Sequence, residues 1–304
     1  MHFKARFGRP VVAIAARAVL LFSLAGALPV PTQAQDAARA QRGEYLLHAG
    51  GCVGCHTDTK NSGTPLAGGR ELKTPFGSFF GPNITPHPTA GIGRWSEAQF
   101  RRALREGVRP DGAHYFPAFP YTSFTGMTDA DIGDLWAYLQ TVPASAQPNR
   151  EHELGFPFNI RLAMIGWKAL FFTPGEFRPD PSKSPEINRG AYLVNALGHC
   201  GECHTPRNFA GGLDRSKFLA GGVLDGGVVP NITPHPETGI GKWSPGDVAD
   251  LLKMGMTPDG DFVGGEMAEV SKEMAKLTDD DVKAIVAYLR SLPPINNAVR
   301  KPKS

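Results

Sequence analysis

The pentapeptide Cys-x-x-Cys-His occurs twice, as Cys52-Val53-Gly54-Cys55-His56 and Cys200-Gly201-Glu202-Cys203-His204. At this spacing two thiols add across the vinyl groups of a haem, and the histidine that follows reaches its iron. A chain that must wrap two covalently held macrocycles has little freedom left in how it folds. Four thiols can also make an all-cysteine zinc site or two disulfides. Neither accounts for a histidine directly after each pair.

The segments that follow each motif match at a constant offset of 148. Asn83-Ile84-Thr85-Pro86-His87-Pro88 recurs as Asn231-Ile232-Thr233-Pro234-His235-Pro236. Gly91-Ile92-Gly93-Arg94-Trp95-Ser96 recurs as Gly239-Ile240-Gly241-Lys242-Trp243-Ser244, and Pro110-Asp111-Gly112 as Pro258-Asp259-Gly260. The chain therefore holds two copies of one haem module rather than a long repeat array.

Residues 1–34 read as an export leader: Lys4, Arg6 and Arg9 precede the apolar stretch Val11 to Leu28, and Thr32-Gln33-Ala34 offers small residues for cleavage. The apolar stretch after Arg17 falls short of the roughly 20 residues that span a bilayer, so cleavage is favoured over an uncleaved anchor. The expected location is the periplasm. The leader takes four of the 32 basic residues and no acidic one, leaving 28 Lys and Arg against 29 Asp and Glu. Haem propionates make the balance more acidic, and no nucleic-acid partner is indicated.

The expected fold is mainly α, two tandem modules of a few helices and long loops around a haem, over residues 35–142 and 186–294. Each opens with a helix, Gly43 to His48 and Gly190 to Ala196, carrying Tyr45 and Leu46 or Tyr192 and Leu193, with one residue gained before the second motif. Ser96 with Gln99 and Ser244 with Asp247 have capping-box spacing, and Pro245 suits a first helical position. Thr128 with Asp131 and Thr278 with Asp281 cap the last helices, with Met127/Ile132 and Leu277/Val282 as hydrophobic staples. Arg101, Arg102 and Arg105 make a solvated helix face or, alternatively, a patch that steers an acidic partner.

Residues 143–185 connect the modules and are too apolar for a free linker, with Phe156-Pro157-Phe158 and the run Ile160 to Phe172. A short helix packed between the modules is expected; docking to a partner or to a membrane surface is the alternative. The tail, 295–304, is polar, and no anchoring helix is expected in it.

His56 and His204 are the expected proximal ligands. A methionine thioether is a common distal ligand of an electron-transfer haem, and Met267, at a loop position after the second Pro-Asp-Gly turn, is preferred over Met254, Met256 and Met274. The same offset in the first module lands on Phe119, which cannot bind iron. His114 is then the first distal candidate and Met127 the second, with Tyr115 or an open site behind them. His87 and His235 sit between prolines and read as loop histidines. Asn83, Trp95, Asn231 and Trp243 are candidate donors to haem propionates.

With these segments in hand, and with Met267-Ala268-Glu269-Val270, the chain resembles the cytochrome c subunit of bacterial membrane-associated alcohol and gluconate dehydrogenases from about Gly43 to Pro294. The resemblance implies two c-type haems, a dehydrogenase catalytic subunit as electron donor, and quinone or a terminal oxidase as acceptor. It also implies peripheral attachment to the inner membrane through that partner. The family pattern has three haems, a C-terminal anchor, and a methionine at the place of Phe119. Two-haem relatives resemble partners of molybdenum dehydrogenases. An electron carrier without substrate chemistry is the first expectation; a haem enzyme or ligand sensor with an open first haem is the second.

Overall fold

In the computed structural model, residues 1–2, 33–224 and 226–300 are described; residues 3–32, which hold most of the leader, Asp225 and the last four residues lie outside them. The first module comprises α1 (Gln33–Ala49), α2 (Cys52–His56), the hairpin β1 (Glu71–Thr74) and β2 (Gly77–Phe80), α3 (Glu97–Glu106), α4 (Tyr121–Phe124) and α5 (Asp129–Leu139). The connection adds β3 (Glu153–Leu154), which pairs with β2, and α6 (Met164–Phe171). The second module repeats the order with α7 (Pro185–Tyr192), α8 (Gly201–His204), β4 (Gly222–Leu224), β5 (Gly227–Val229), α9 (Pro245–Met254), α10 (Gly265–Met274) and α11 (Asp279–Ser291). The described chain is mostly helical, as the sequence predicts.

The opening helix of each module crosses its last helix at a glycine. A Cβ on Gly43 would lie 2.0 Å from the Asp134 carbonyl oxygen, and one on Gly190 would lie 1.9 Å from that of Ala284. Only hydrogen fits there, so α1 meets α5 and α7 meets α11 at backbone distance. Capping is as expected: Ser96 and Gln99 exchange bonds of 3.2 and 2.9 Å, and Ser244 and Asp247 exchange bonds of 3.1 and 2.7 Å. The arginines of α3 form ion pairs on the helix surface, Arg101 with Glu97, Arg102 with Glu106, and Arg105 with Asp129 and Glu176.

Two features are not legible from sequence. α7 runs into a π-helical turn over Leu193–Leu197, where Gly198 N–H donates to the Leu193 carbonyl at 2.6 Å. That widened turn holds the one extra residue of the second copy. In addition, the apolar sets of the two modules form one continuous core, with Leu46 and Leu47 of α1 in the same cluster as Leu193, Val194 and Leu197. The copies are thus joined by burial as well as by chain.

Polar contacts cross the same boundary. Tyr45 donates to Asp281 at 2.6 Å, and Tyr192 makes the corresponding bond to Asp131. His48 meets Glu273 at 2.5 Å. Glu202, inside the second haem motif, accepts from Thr122 and Ser123 of α4 at 2.5 and 2.8 Å while Arg207 holds its other oxygen at 2.6 Å.

Candidate functional site

Each Cys-x-x-Cys-His motif forms a short helix, α2 or α8, that places its histidine under a proline carbonyl. His56 Nδ1 lies 2.6 Å from the Pro82 oxygen and His204 Nδ1 lies 2.8 Å from that of Pro230. A carbonyl only accepts, so Nδ1 carries the proton in both rings and Nε2 keeps its lone pair. This second contact fixes the tautomer and orientation that an iron-binding imidazole needs. Burial lowers both imidazole pKa values and the proline carbonyls oppose that shift, so the neutral, ligating form is favoured.

The four cysteines are unpaired. Burial pushes Cys52 and Cys200 up to about 12 and Cys55 to about 11, and raises Cys203. Redox dithiols and zinc thiolates are shifted the other way. Among the described residues no three His, Cys, Asp or Glu side chains converge as a metal-ligand set. The placing of each pair directly before its histidine is that of thioether attachment to a haem.

A cavity of about 660 Å³ opens beside Cys52, Cys55 and His56, walled by apolar side chains including Leu46, Ile92, Phe100, Leu104 and Leu135. Trp95 also lines it, and among the described residues the indole N–H of Trp95 finds no acceptor, so it is available to a propionate. Donor set, wall and uncommitted N–H together fit a covalently attached haem. The Trp243 N–H of the second module is equally without an acceptor among the described residues.

The asparagines are corrected. Asn83 Nδ2 donates to the carbonyls of Ser145 and Gln147 at 2.9 and 3.0 Å, while Oδ1 accepts from Thr85 N and Oγ1. Asn231 Nδ2 is committed to Thr238 Oγ1 and the Ile295 carbonyl, and its Oδ1 to Thr233. Both amides brace the loop against the chain that leaves the module, with no donor left over for a propionate. The loop histidines are local braces: His87 Nδ1 accepts from Ala90 N at 3.1 Å and His235 Nδ1 from Thr238 N at 3.1 Å.

Met267 stands in the first turn of α10, not in a loop, and packs partly buried against the core. The reason is local: Pro117 and Pro120 flank Phe119 and forbid a helix there, whereas Glu266-Met267-Ala268-Glu269 are helix formers. Met254 is exposed and Met274 is a core residue. His114, the first distal candidate, is outside the lining of the cavity. Its Nδ1 lies 2.9 Å from Lys168 Nζ and its carbonyl accepts from Arg161. Met127 and Tyr115 do line the cavity, as does Phe119.

The connection contributes residues that the repeat could not reveal. Its path runs along the loop that holds His56, with Asn149 accepting from Asn83 N and His152 Nδ1 accepting from Phe80 N. It then crosses to the opposite wall, where the Arg161 guanidinium lies 4.4 Å over the Phe116 ring and Lys168 donates to the Glu106 and Gly107 carbonyls. Arg150, His152 and Arg161 of this strap line the cavity. α6 also reaches the second module, Trp167 Nε1 donating to the Ala210 carbonyl at 2.8 Å. The expected inter-module helix exists, yet Phe156, Leu162 and Leu170 on the strap are 74–82 % exposed.

The two attachment loops touch. His199, directly before Cys200, lines the first cavity, and its Nε2 lies 3.2 Å from the Gly50 carbonyl oxygen. Arg70 of the first module is buried and reaches Glu266, next to Met267, at 2.6 Å. No sequence signal marks either contact, since both depend on how the copies dock.

Paired haem-attachment helices, proline-braced imidazoles and a helix crossing closed by glycine define a c-type cytochrome with two haem modules. The chain belongs to the cytochrome c family, whose profile matches residues 40–143 and 187–293. It is 46 % identical over 261 residues to a "Diheme cytochrome c-type" protein of Cereibacter sphaeroides, covering 84 % of this chain and 86 % of that one. It is 42 % identical over 284 residues to the cytochrome c subunit of an alcohol dehydrogenase (quinone) of Gluconacetobacter polyoxogenes, covering 90 % of this chain and 60 % of that one. A subunit of nicotinate dehydrogenase from Pseudomonas putida is 44 % identical over 258 residues, with 84 % of this chain and 22 % of that one covered. The chain thus spans only part of the dehydrogenase relatives it matches. Among the described residues no helix is long and apolar enough to cross a membrane.

Proposed function

We propose that this two-haem cytochrome is a periplasmic electron relay, taking electrons singly from the catalytic subunit of a dehydrogenase and passing them to quinone or a terminal oxidase. The observation that carries the reading is the contact between the attachment loops, with His199 Nε2 3.2 Å from the Gly50 carbonyl oxygen. Motifs held that closely bring their two prosthetic groups near one another. Each haem supplies a one-electron ferric/ferrous couple when bound. The protein's part is to orient His56 and His204 through Pro82 and Pro230, to offer Met267 to the second iron, and to hold propionates at Trp95 and Trp243.

The relatives support a dehydrogenase as donor, since similar chains are named as cytochrome subunits of alcohol, fructose and gluconate dehydrogenases. The exposed apolar strap, which borders the first cavity, suits docking of that donor, and peripheral attachment to the inner membrane follows through it. The test is to mix the purified holoprotein in turn with the purified catalytic subunits of alcohol, fructose and gluconate dehydrogenases, the enzymes whose cytochrome subunits it resembles. Haem reduction that requires the dehydrogenase and its substrate is expected; a cytochrome that stays oxidised while the enzyme turns over with an artificial acceptor would defeat the reading.

A further inference from the structure

The repeat sets Phe119 against Met267, and the structure shows why no neighbour takes over the missing ligand. Phe119 lines the cavity of Cys52, Cys55 and His56, its ring packed on Tyr115 and Phe124 with centroids 5.1 and 5.8 Å apart. A phenyl ring has no lone pair for a metal. The nearby His114 is tied to Lys168, and Pro117 and Pro120 stiffen the loop between.

Besides His56, three histidine and methionine side chains remain on the wall, and each has other work; Tyr115, whose hydroxyl is pushed up to about 12 by burial, stays a phenol. His199 Nε2 is bonded to the Gly50 carbonyl. His152 is anchored by the Phe80 N–H, with its ring against Phe79 and Phe116 at 5.1 and 6.0 Å. Met127 is fully buried at the staple, and Leu277 fills the same place in the second module at 3 % exposure. A hydrocarbon satisfies that position, so the thioether of Met127 is not there for the iron.

We infer that the first haem keeps an open distal side and binds a small neutral diatomic ligand of the carbon monoxide or nitric oxide type. A ligand of this class would bind a ferrous haem held by Cys52, Cys55 and His56 by donating a lone pair, with no proton moved and nothing oxidised. The ligand class follows from the side chains around Phe119: Phe119, Phe124 and Met127 present carbon and sulfur and Tyr115 one hydroxyl, while the Arg161 guanidinium is spent on the Phe116 ring and the His114 carbonyl. His152 also lines the cavity, but its Nδ1 accepts from Phe80 N, so it is not free to take the proton that peroxide cleavage moves. The inference rests on the two-haem reading and goes beyond electron relay, because it gives the first haem a ligand of its own.

The test uses the reduced holoprotein, with its haem content measured first, and carbon monoxide as the probe. About half of the haem absorbance is expected to shift. Phe119→Met should abolish the shift with both haems retained and raise the potential of one of them, while Met127→Leu should leave the shift in place. No response from a protein carrying two haems would overturn the inference without touching the relay, as would a full response in Phe119→Met. Should Phe119→Met fail to load haem, Met127→Leu and His152→Leu still decide. A silent wild type that becomes responsive in either variant names the internal ligand and overturns the inference. Fewer than two haems per chain would overturn the relay reading with it.

Discussion

Tyr45 of the first module donates its hydroxyl to Asp281 of the second at 2.6 Å, and the bond recurs with the modules exchanged between Tyr192 and Asp131. Each tyrosine comes from an opening helix and each aspartate from the first turn of the other module's last helix. Asp131 and Asp281, which the sequence pairs with their own Thr128 and Thr278, also turn outward to join the copies. Tyr45→Phe should lower stability by about 1–2 kcal/mol, because Asp281 keeps Arg189 but loses one charge-assisted bond. Denaturant unfolding of the holoprotein with both haems attached measures it.

The same interface should fail in acid. Burial works to raise Asp281, but the hydrogen bonds from Arg189 and Tyr45 outweigh it and hold the carboxyl below its ordinary value. Burial likewise opposes Glu273, where the His48 hydrogen bond prevails. A depressed carboxylate contributes stability that is complete above its unfolded pKa, roughly 4 for these groups, and is lost as pH falls through the lower folded value. Melting temperature should be flat with respect to these two groups near pH 6 and drop below about pH 4. Asp281→Asn should be less stable at neutral pH and show a shallower acid limb.

Two glycine substitutions should have opposite signs. At Gly190 an added methyl meets the Ala284 carbonyl at 1.9 Å, so Gly190→Ala must push α7 from α11 at a cost of about 1–3 kcal/mol or more. Gly166 stands in α6 with nothing within 4 Å of its would-be Cβ. Gly166→Ala should stabilise by about 0.5–1 kcal/mol. Equal effects at the two sites in thermal unfolding would contradict the helix crossing.

Met267→Leu should leave the second haem attached through Cys200 and Cys203 while lowering its potential and perturbing half of the haem spectrum. A redox titration followed by absorbance resolves the two couples. If both potentials and the spectrum match the wild type, Met267 is not the ligand.

The attachment chemistry is legible because covalent chemistry imposes a spacing on the chain, and so are Ser96, Thr128 and their counterparts, whose bonds reach three residues. Tyr45 and Asp281 are 236 residues apart, and nothing local in either announces the other. Asn83 misleads for the same reason: its donors are consumed by Ser145 and Gln147, more than 60 residues away. Met267 reads as a loop residue because it follows the Pro-Asp-Gly turn, but the prolines that hold Phe119 in a turn in the first copy are missing from the second. His152 and Arg161 lie in a connection that has no counterpart to be compared with, so the repeat carries no information about them.

The π-helical turn at Leu193–Leu197 bears on how two such modules can drift apart after duplication. One residue added to an ordinary helix would turn everything beyond it by about 100°, carrying Cys200 and His204 away from their pocket relative to Tyr192. Absorbed as a bulge, the insertion leaves Tyr192 on Asp131 and His204 under Pro230. The second copy has thus accepted a change in length with its orientation intact, and the pairing that joins the copies outlasts the likeness of their sequences.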